Sequence, residues 1–141
     1  MRAPSDNADG TVPDEPPASR LLSRRVIGKH AATGAMMIAY SAPFGFTNRH
    51  GTVQGGFLAA MLDSAAALTL LAELPPGRTA VTTRLDVDFL KAALPGELIA
   101  SATVASMDER RARVQADLRS SDNVIVARAN VELRIISTAR S

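Results

Sequence analysis

The chain has 141 residues, of which 46% are hydrophobic and 21% charged, proportions typical of one globular domain with a sizeable core. It has no cysteine, which excludes disulfides, cysteine zinc sites, iron–sulfur clusters and cysteine nucleophiles. The net charge is only +2, and four Phe, one Tyr and no Trp leave few groups that could stack on bases, so we expect no nucleic acid partner.

The amino-terminal segment differs in composition from the rest. Residues 1–19 hold four of the eight prolines and show no apolar period. We therefore predict a disordered tail over residues 1–20 and a single domain over residues 21–141. The first residues lack the basic start and apolar stretch of a signal peptide, so we expect a cytoplasmic protein.

The first elements of the domain are short. Residues 21–30 fit a helix or a strand, and a strand follows from Ala35, where Met36, Ile38 and Tyr40 alternate with smaller residues. A loop without apolar period then runs from Phe44 to Gly56.

One helix is expected at the centre of the domain. From Phe57 the chain is rich in Ala and Leu and apolar almost all round, which favours a buried helix that ends at Pro75. The apolar run of residues 57–72 is too short to cross a membrane and carries Asp63 in its middle, so we expect no membrane partner.

After residue 80 the apolar period changes from 3.6 to 2. The first strand of this region should place Val81, Thr83, Leu85, Val87 and Phe89 on one face, and three more alternating strands follow, with turns at residues 95–96, 108–110 and 121–123. One early strand, one buried helix and four consecutive antiparallel strands predict an α+β fold. In this fold a curved antiparallel sheet wraps around the central helix.

Asp63 is the only ionisable side chain between Gly51 and Ala72. Burying a lone carboxylate is costly unless it is compensated or used, so Asp63 is a candidate nucleophile or general base in an apolar cleft. The alternative is an Asp at the rim of the helix, solvated or paired with an Arg.

Gln54, Gly55 and Gly56 precede this helix. Glycines here let a ligand approach unpaired backbone N–H groups at the positive end of the helix dipole, where a carbonyl oxygen that becomes negative is stabilised. The alternative is a loop that needs glycine for its conformation or for close packing.

The spacing of these two features restricts how they could act together. Gly55 and Asp63 are eight residues apart, which places them ~12 Å apart along one helix. They cannot serve one carbonyl from the same helix. If both act on one substrate, Gly55 and Asp63 come from two subunits, and a dimer then has two equivalent sites.

These residues together resemble a known family. The stretch from Asn48 to Gly56, with Asp63 on the following helix and VTTRLDVDFLKAALPGELIA after it, is similar to the hotdog-fold acyl-CoA thioesterases of the PaaI type, named for phenylacetate degradation. The resemblance covers roughly residues 21–136 and implies the hotdog fold.

The resemblance also implies roles for individual residues. The Gly55 N–H would polarise the thioester carbonyl, and Asp63 would activate water or attack the carbonyl directly. Asn48 would help to bind and orient the reacting groups, and Thr82 aligns with a Ser or Thr that can hold the water in related enzymes. Gln54 stands where the family usually has a His, and it can hydrogen-bond but cannot titrate near neutral pH.

Several of these residues also have structural explanations. Simple alternation places Thr82 on the strand face away from the helix, so it would reach the site only from a partner subunit or through an irregular strand. Asn48 also fits a plain turn residue. Gly56, Phe57 and Met61, near the helix start, are candidates to bind the substrate, although the core is the more common place for side chains such as Phe57 and Met61.

We therefore expect an enzyme that hydrolyses an acyl or aryl-acyl CoA thioester to the free acid and CoA, with a homodimer as the minimal active unit and a homotetramer as the assembly. No metal or redox cofactor is required, since a carboxylate and a backbone amide suffice for a thioester, and CoA is part of the substrate. His30 and His50 match no metal-binding motif. Two alternatives stay open: a non-catalytic acyl-CoA or acyl-carrier binding protein, and a hydratase that uses one of these histidines.

Overall fold

A six-stranded sheet and one long helix make up most of the computed structural model, which describes residues 15–138. The elements in chain order are α1 (Pro17–Leu21), β1 (Arg25–Lys29), β2 (Met36–Ala42), a 3₁₀ turn (Phe44–Phe46), α2 (Gly55–Leu71), β3 (Arg78–Phe89), β4 (Gly96–Met107), β5 (Arg111–Ser120) and β6 (Ile125–Ser137). Within the described residues, no helix combines the length and the apolar character needed to span a membrane.

The strands are ordered β1-β2-β4-β5-β6-β3, and all neighbours are antiparallel. Helix α2 packs against strands β2 to β6, so one side of the helix is covered by one face of the sheet. Strand β3 pairs with β6 and not with β4, since residues 90–95 carry the chain across the sheet before β4 begins. This architecture confirms the predicted α+β hotdog fold.

The amino-terminal part of the domain has more structure than predicted. It contains two early strands rather than one, because residues 25–29 pair with β2 as an edge strand. The predicted tail also extends too far: Pro17–Leu21 is helical and Ser19 is buried, and Pro17 suits the first turn of a helix. Residues 1–14 of the predicted tail lie outside the described residues.

A bulge in β3 changes which of its residues face the helix. The pairing with β6 shifts between Thr82 and Arg84, so Thr83 is an extra residue. Before the bulge, Ala80 and Thr82 lie opposite the buried Ile135 and Leu133; after it, Leu85 and Val87 lie opposite the inward-facing Val131 and Ala129. The prediction that Val81 and Thr83 face the core with Leu85 is therefore wrong, because one inserted residue reverses the alternation.

The core lies between α2 and the sheet. Met61, Leu62, Ala65, Ala66 and Leu70 have no exposed surface on the helix side, and small residues of β4 to β6 face them, with Ala100, Ala116 and Ala127 among these. Small side chains on the strands let the helix approach the sheet closely, so every methylene of the helix side chains contributes to packing.

Met61 tests this assignment of the core. Met61→Ala should lower the free energy of unfolding by about 2 to 5 kcal/mol, because it opens a cavity in a fully buried position. Met61→Leu conserves volume and should lower it by less than about 1.5 kcal/mol. Urea unfolding of both variants measures the difference, and an equal small effect of the two would contradict a tightly packed site.

Candidate active site

The amino terminus of α2 presents two open backbone donors. Gln54 is the N-cap, and its side chain makes no capping hydrogen bond. Its carbonyl accepts from the amides of Phe57 and Leu58, at 2.9 and 3.4 Å, whereas the amides of Gly55 and Gly56 donate to no group within residues 15–138. Because unpaired N–H groups at a helix start favour negative charge, this end of α2 is suited to an oxyanion.

The ring of Phe89, at the end of β3, lies close to Gly55. A Cβ on Gly55 would lie 3.3 Å from the Phe89 Cε1 atom, which is tighter than an ordinary contact, whereas a Cβ on Gly56 would meet nothing within 4 Å. A cavity of about 320 Å³ opens beside this contact, and Gly55, Phe89, Asn48 and Lys91 are among its lining residues. Sequence reasoning did not identify Phe89 as a site residue, since only the folded chain brings the end of β3 onto the helix start.

Asn48 organises the loop that leads to the helix. Its Oδ1 accepts from the amides of His50 and Thr52, at 2.9 and 3.3 Å, and its Nδ2 donates to the Thr52 hydroxyl at 3.0 Å. The backbone N–H of Asn48 also donates to the Thr52 carbonyl at 2.8 Å. Asn48 therefore closes a tight turn and at the same time lines the cavity next to Gly55.

Asp63 lies about two helical turns after Gly55 on α2 and is half-buried. The Thr82 hydroxyl donates to Asp63 Oδ1 at 2.7 Å, within the same chain. The bulge at Thr83 makes this contact possible, because it turns Thr82 towards the helix. Asp63 forms no ion pair among the described residues, so the arrangement is a carboxylate held by a neutral hydroxyl.

The three candidate substrate-binding residues lie in different surroundings. Gly56 is exposed, beside the open amides. The Phe57 ring is half-buried and stacks on the Phe46 ring, with ring centroids 3.9 Å apart. Met61 has no exposed surface, so the structure places it in the core rather than on a pocket wall.

Three hydrogen-bonded side chains that the sequence did not reveal, those of Tyr40, Ser64 and Arg24, lie next to Asp63 in the structure. The Tyr40 hydroxyl donates to Ser64 Oγ at 3.0 Å, and Arg24 Nη1 donates to the same oxygen at 3.4 Å. Burial raises the pKa of Tyr40 to about 12; the Ser64 hydrogen bond and the Arg24 charge oppose this shift, and the Asp63 charge adds to it. The only signal in the sequence was a single tyrosine in an otherwise apolar strand.

Helix α2 thus carries two sets of functional groups. The Asp63 carboxylate, with its Thr82 hydroxyl partner, lies in the middle of the helix, and the unpaired amides of Gly55 and Gly56 lie at its start. No group of three or more His, Asp or Glu side chains within residues 15–138 is arranged to hold a metal. Together these groups offer a base or nucleophile and donors for an oxyanion, the two functions that acyl-transfer chemistry needs.

Comparison with known proteins gives the family. The model of the thioesterase superfamily matches residues 50–127, and the chain belongs to this superfamily. A phenylacetic acid degradation-related protein from Ralstonia eutropha JMP134 is 30% identical, with 85% of this chain and 90% of that chain covered and a TM-score of 0.80.

Two further solved structures share the fold at lower identity. The E. coli PaaI protein from the phenylacetic acid degradation operon is 21% identical, with 84% and 83% of the two chains covered and a TM-score of 0.74. A Bacillus halodurans protein solved with CoA is also 21% identical, with 84% and 74% covered and a TM-score of 0.74. A search of curated proteins found no significant match. The predicted resemblance to PaaI-type thioesterases is confirmed.

The two glycines at the helix start should respond differently to alanine. Gly56→Ala should raise the free energy of unfolding by about 0.4 to 1 kcal/mol, because the new methyl meets no atom and restricts the unfolded chain. Gly55→Ala should give a smaller gain or a loss, since its methyl presses on the Phe89 ring. Equal gains in urea unfolding would contradict the close contact between Gly55 and Phe89.

Proposed function

We propose that the protein hydrolyses an acyl-CoA or aryl-acyl-CoA thioester to the free acid and CoA, with Asp63 as nucleophile or general base. The observation that carries this proposal is that one helix holds both a carboxylate bound by a hydroxyl and amides that have no partner within residues 15–138. The thioesterase superfamily fold supports the choice of a thioester as the bond that is cleaved.

The chemistry follows from these groups. The thioester oxygen accepts from the Gly55 amide, which favours the negative charge that develops when the carbonyl is attacked. Asp63 either takes a proton from the attacking water or attacks the carbonyl itself; in both cases the C–S bond breaks and the thiolate of CoA leaves and is protonated. In the second case water then hydrolyses the anhydride between the acyl group and Asp63, which releases the free acid and restores the carboxylate. No metal or redox group is required for these steps, and we place the reaction in the cytoplasm.

A homodimer is the minimal active unit that we propose. Strand β3 is twelve residues long and pairs on one side only, and it exposes Val81, Leu85 and Phe89. A long edge strand with exposed apolar side chains favours pairing with another strand. The other edge, β1, is short, basic at both ends and irregular at Gly28, features that disfavour pairing.

Pairing of two β3 edges across a two-fold axis would bring the helix start of one subunit towards Asp63 of its partner. Each dimer would then hold two identical sites, each built from Gly55 of one subunit and the Asp63–Thr82 pair of the other. We further propose that two such dimers associate as a homotetramer.

Asp63→Asn is the primary test. The amide oxygen can still accept from Thr82, so the fold should be retained while turnover falls by about 10² to 10⁴-fold, a typical loss for an acid–base group. Thiol release from phenylacetyl, benzoyl, short-chain and medium-chain CoA esters measures the effect and identifies the acyl class. Tight acyl-CoA binding by a folded wild-type protein that releases no thiol from any ester would instead favour the binding-protein alternative.

Gly55→Pro removes the proposed oxyanion donor. Proline is favoured at the first helical position, and Gln54 has φ −59° and ψ 135°, an extended conformation that a following proline accepts. Turnover should fall by about 10² to 10³-fold, as when one oxyanion donor is removed. Gly55→Ala is the matched control, because it crowds Phe89 in the same way but keeps the N–H; similar losses in both would argue against the amide.

Thr82→Val keeps the shape of the side chain and removes the hydroxyl bound to Asp63. Because a hydrogen bond to a charged group contributes about 1.5 to 3 kcal/mol, kcat should fall roughly tenfold or more. Thr82→Ser should restore most of it. Thr83→Val is the neighbouring control, since the Thr83 hydroxyl donates to the Glu132 carbonyl, and it should leave kcat within about twofold.

A further inference from the structure

Ser64, the residue after Asp63 on α2, is held from the half of the sheet opposite β3. Tyr40 in β2 donates to Ser64 Oγ at 3.0 Å, and Arg24, which precedes β1, donates to the same atom at 3.4 Å. Strands β2 and β3 lie near opposite edges of the sheet. The helical turn that carries Asp63 is therefore held from both sides, by Thr82 on one side and by Tyr40 and Arg24 on the other.

The conformation of the backbone before β1 places the Arg24 side chain against α2. Leu22 is 4% exposed, and its carbonyl accepts from the Ser41 amide at 3.1 Å, which anchors the corner on β2. Ser23 follows with φ 55°, a left-handed conformation unfavourable for a non-glycine residue, and the Arg24 amide donates to the Ser19 carbonyl at 3.0 Å. This corner places a half-buried guanidinium above α2.

Charge distinguishes this cluster from ordinary packing. Arg24 has no carboxylate partner within residues 15–138, whereas its neighbour Arg25 pairs with Glu97 at 3.1 Å on the surface. The charges of Arg24 and Asp63 both act on the buried Tyr40 hydroxyl, in opposite directions.

The other elements packed against α2 contribute no competing charge at this depth. The positions of β4, β5 and β6 that face the helix are apolar, with Ala100, Val114 and Val131 as examples, and α2 carries no second ionisable group. In the part of the chain that the structure describes, Arg24 and Tyr40 are thus the cation and the ionisable hydroxyl that hydrogen-bond to the helical turn of Asp63.

We propose that Arg24, Ser64 and Tyr40 form a positioning network that fixes the orientation of the helical turn that carries Asp63. This inference rests on the proposed function, because it concerns how Asp63 is held for catalysis. None of the three residues is proposed to touch the substrate. Their effect on turnover would act through the orientation of Asp63.

The division of the effect between kcat and KM is the first test. Arg24→Met removes the guanidinium that donates to Ser64 Oγ, so kcat should fall about tenfold while KM stays within about twofold. Arg24→Lys keeps a cationic donor and should restore most of kcat. Arg25→Met, at the adjacent exposed position, is the matched control and should change neither kcat nor KM.

Tyr40 supplies a second readout that needs no turnover. It is the only tyrosine of a chain without tryptophan, so phenolate absorbance reports this hydroxyl alone. In folded protein it should ionise at about pH 12, at higher pH in Arg24→Met and at lower pH in Asp63→Asn. Circular dichroism at each pH checks that the fold is retained, and Ser64→Ala replaces any variant that fails to fold.

The outcomes separate the network from the function itself. An unaltered kcat in Arg24→Met, together with an unaltered tyrosine titration, overturns the network although the enzyme is active. If the wild type cleaves no ester, the proposed function is overturned, and the titration alone then shows whether Arg24 and Asp63 act on Tyr40. A lower kcat at unchanged KM that Arg24→Lys restores supports the proposal.

Discussion

The rigid length of α2 sets the geometry on which the proposed site depends. The helix fixes its open amino terminus and Asp63 eight residues apart, ~12 Å along one axis, and packing against five strands prevents the helix from bending to bring them together. A donor and a carboxylate at that separation cannot reach one thioester carbonyl. If α2 of a second subunit lay antiparallel to this helix, the start of each helix would face the middle of the other. The Gly55 amide of one subunit and the Asp63 carboxylate of the other could then reach the same carbonyl. In this account, the catalytic geometry is a property of the assembly.

Strand β3 connects this constraint to the rest of the fold. Its bulge at Thr83 turns Thr82 towards Asp63, its end places Phe89 on Gly55, and its unpaired edge is the surface through which we propose that two subunits meet. One strand therefore contacts both halves of the site. Because bulges bend and twist a strand locally, the extra residue positions the hydroxyl without disturbing the pairing on either side.

The sequence predicted the architecture well where a long regular pattern was present. The apolar circumference of residues 57–72 indicated a buried helix, and period-2 alternation gave the four later strands. It failed where one residue changes a pattern: alternation cannot reveal that Thr83 is inserted, so Thr82 was assigned to the wrong face. The short β1, exposed along most of its length, gave no alternating signal. Ser64 lies 24 positions after Tyr40 and 40 positions after Arg24 in the sequence. No local sequence pattern predicts contacts between residues so far apart.

The most direct test of the account is complementation between two inactive variants. Asp63→Asn and Gly55→Pro subunits, carried on different affinity tags, are co-expressed, and the mixed assembly is purified through both tags. If each site takes Gly55 from one subunit and Asp63 from the other, a mixed dimer has one intact site and should recover about half of the wild-type thioesterase turnover. A mixed assembly as inactive as its two parents, with both subunits folded and associated, would contradict a site shared between subunits.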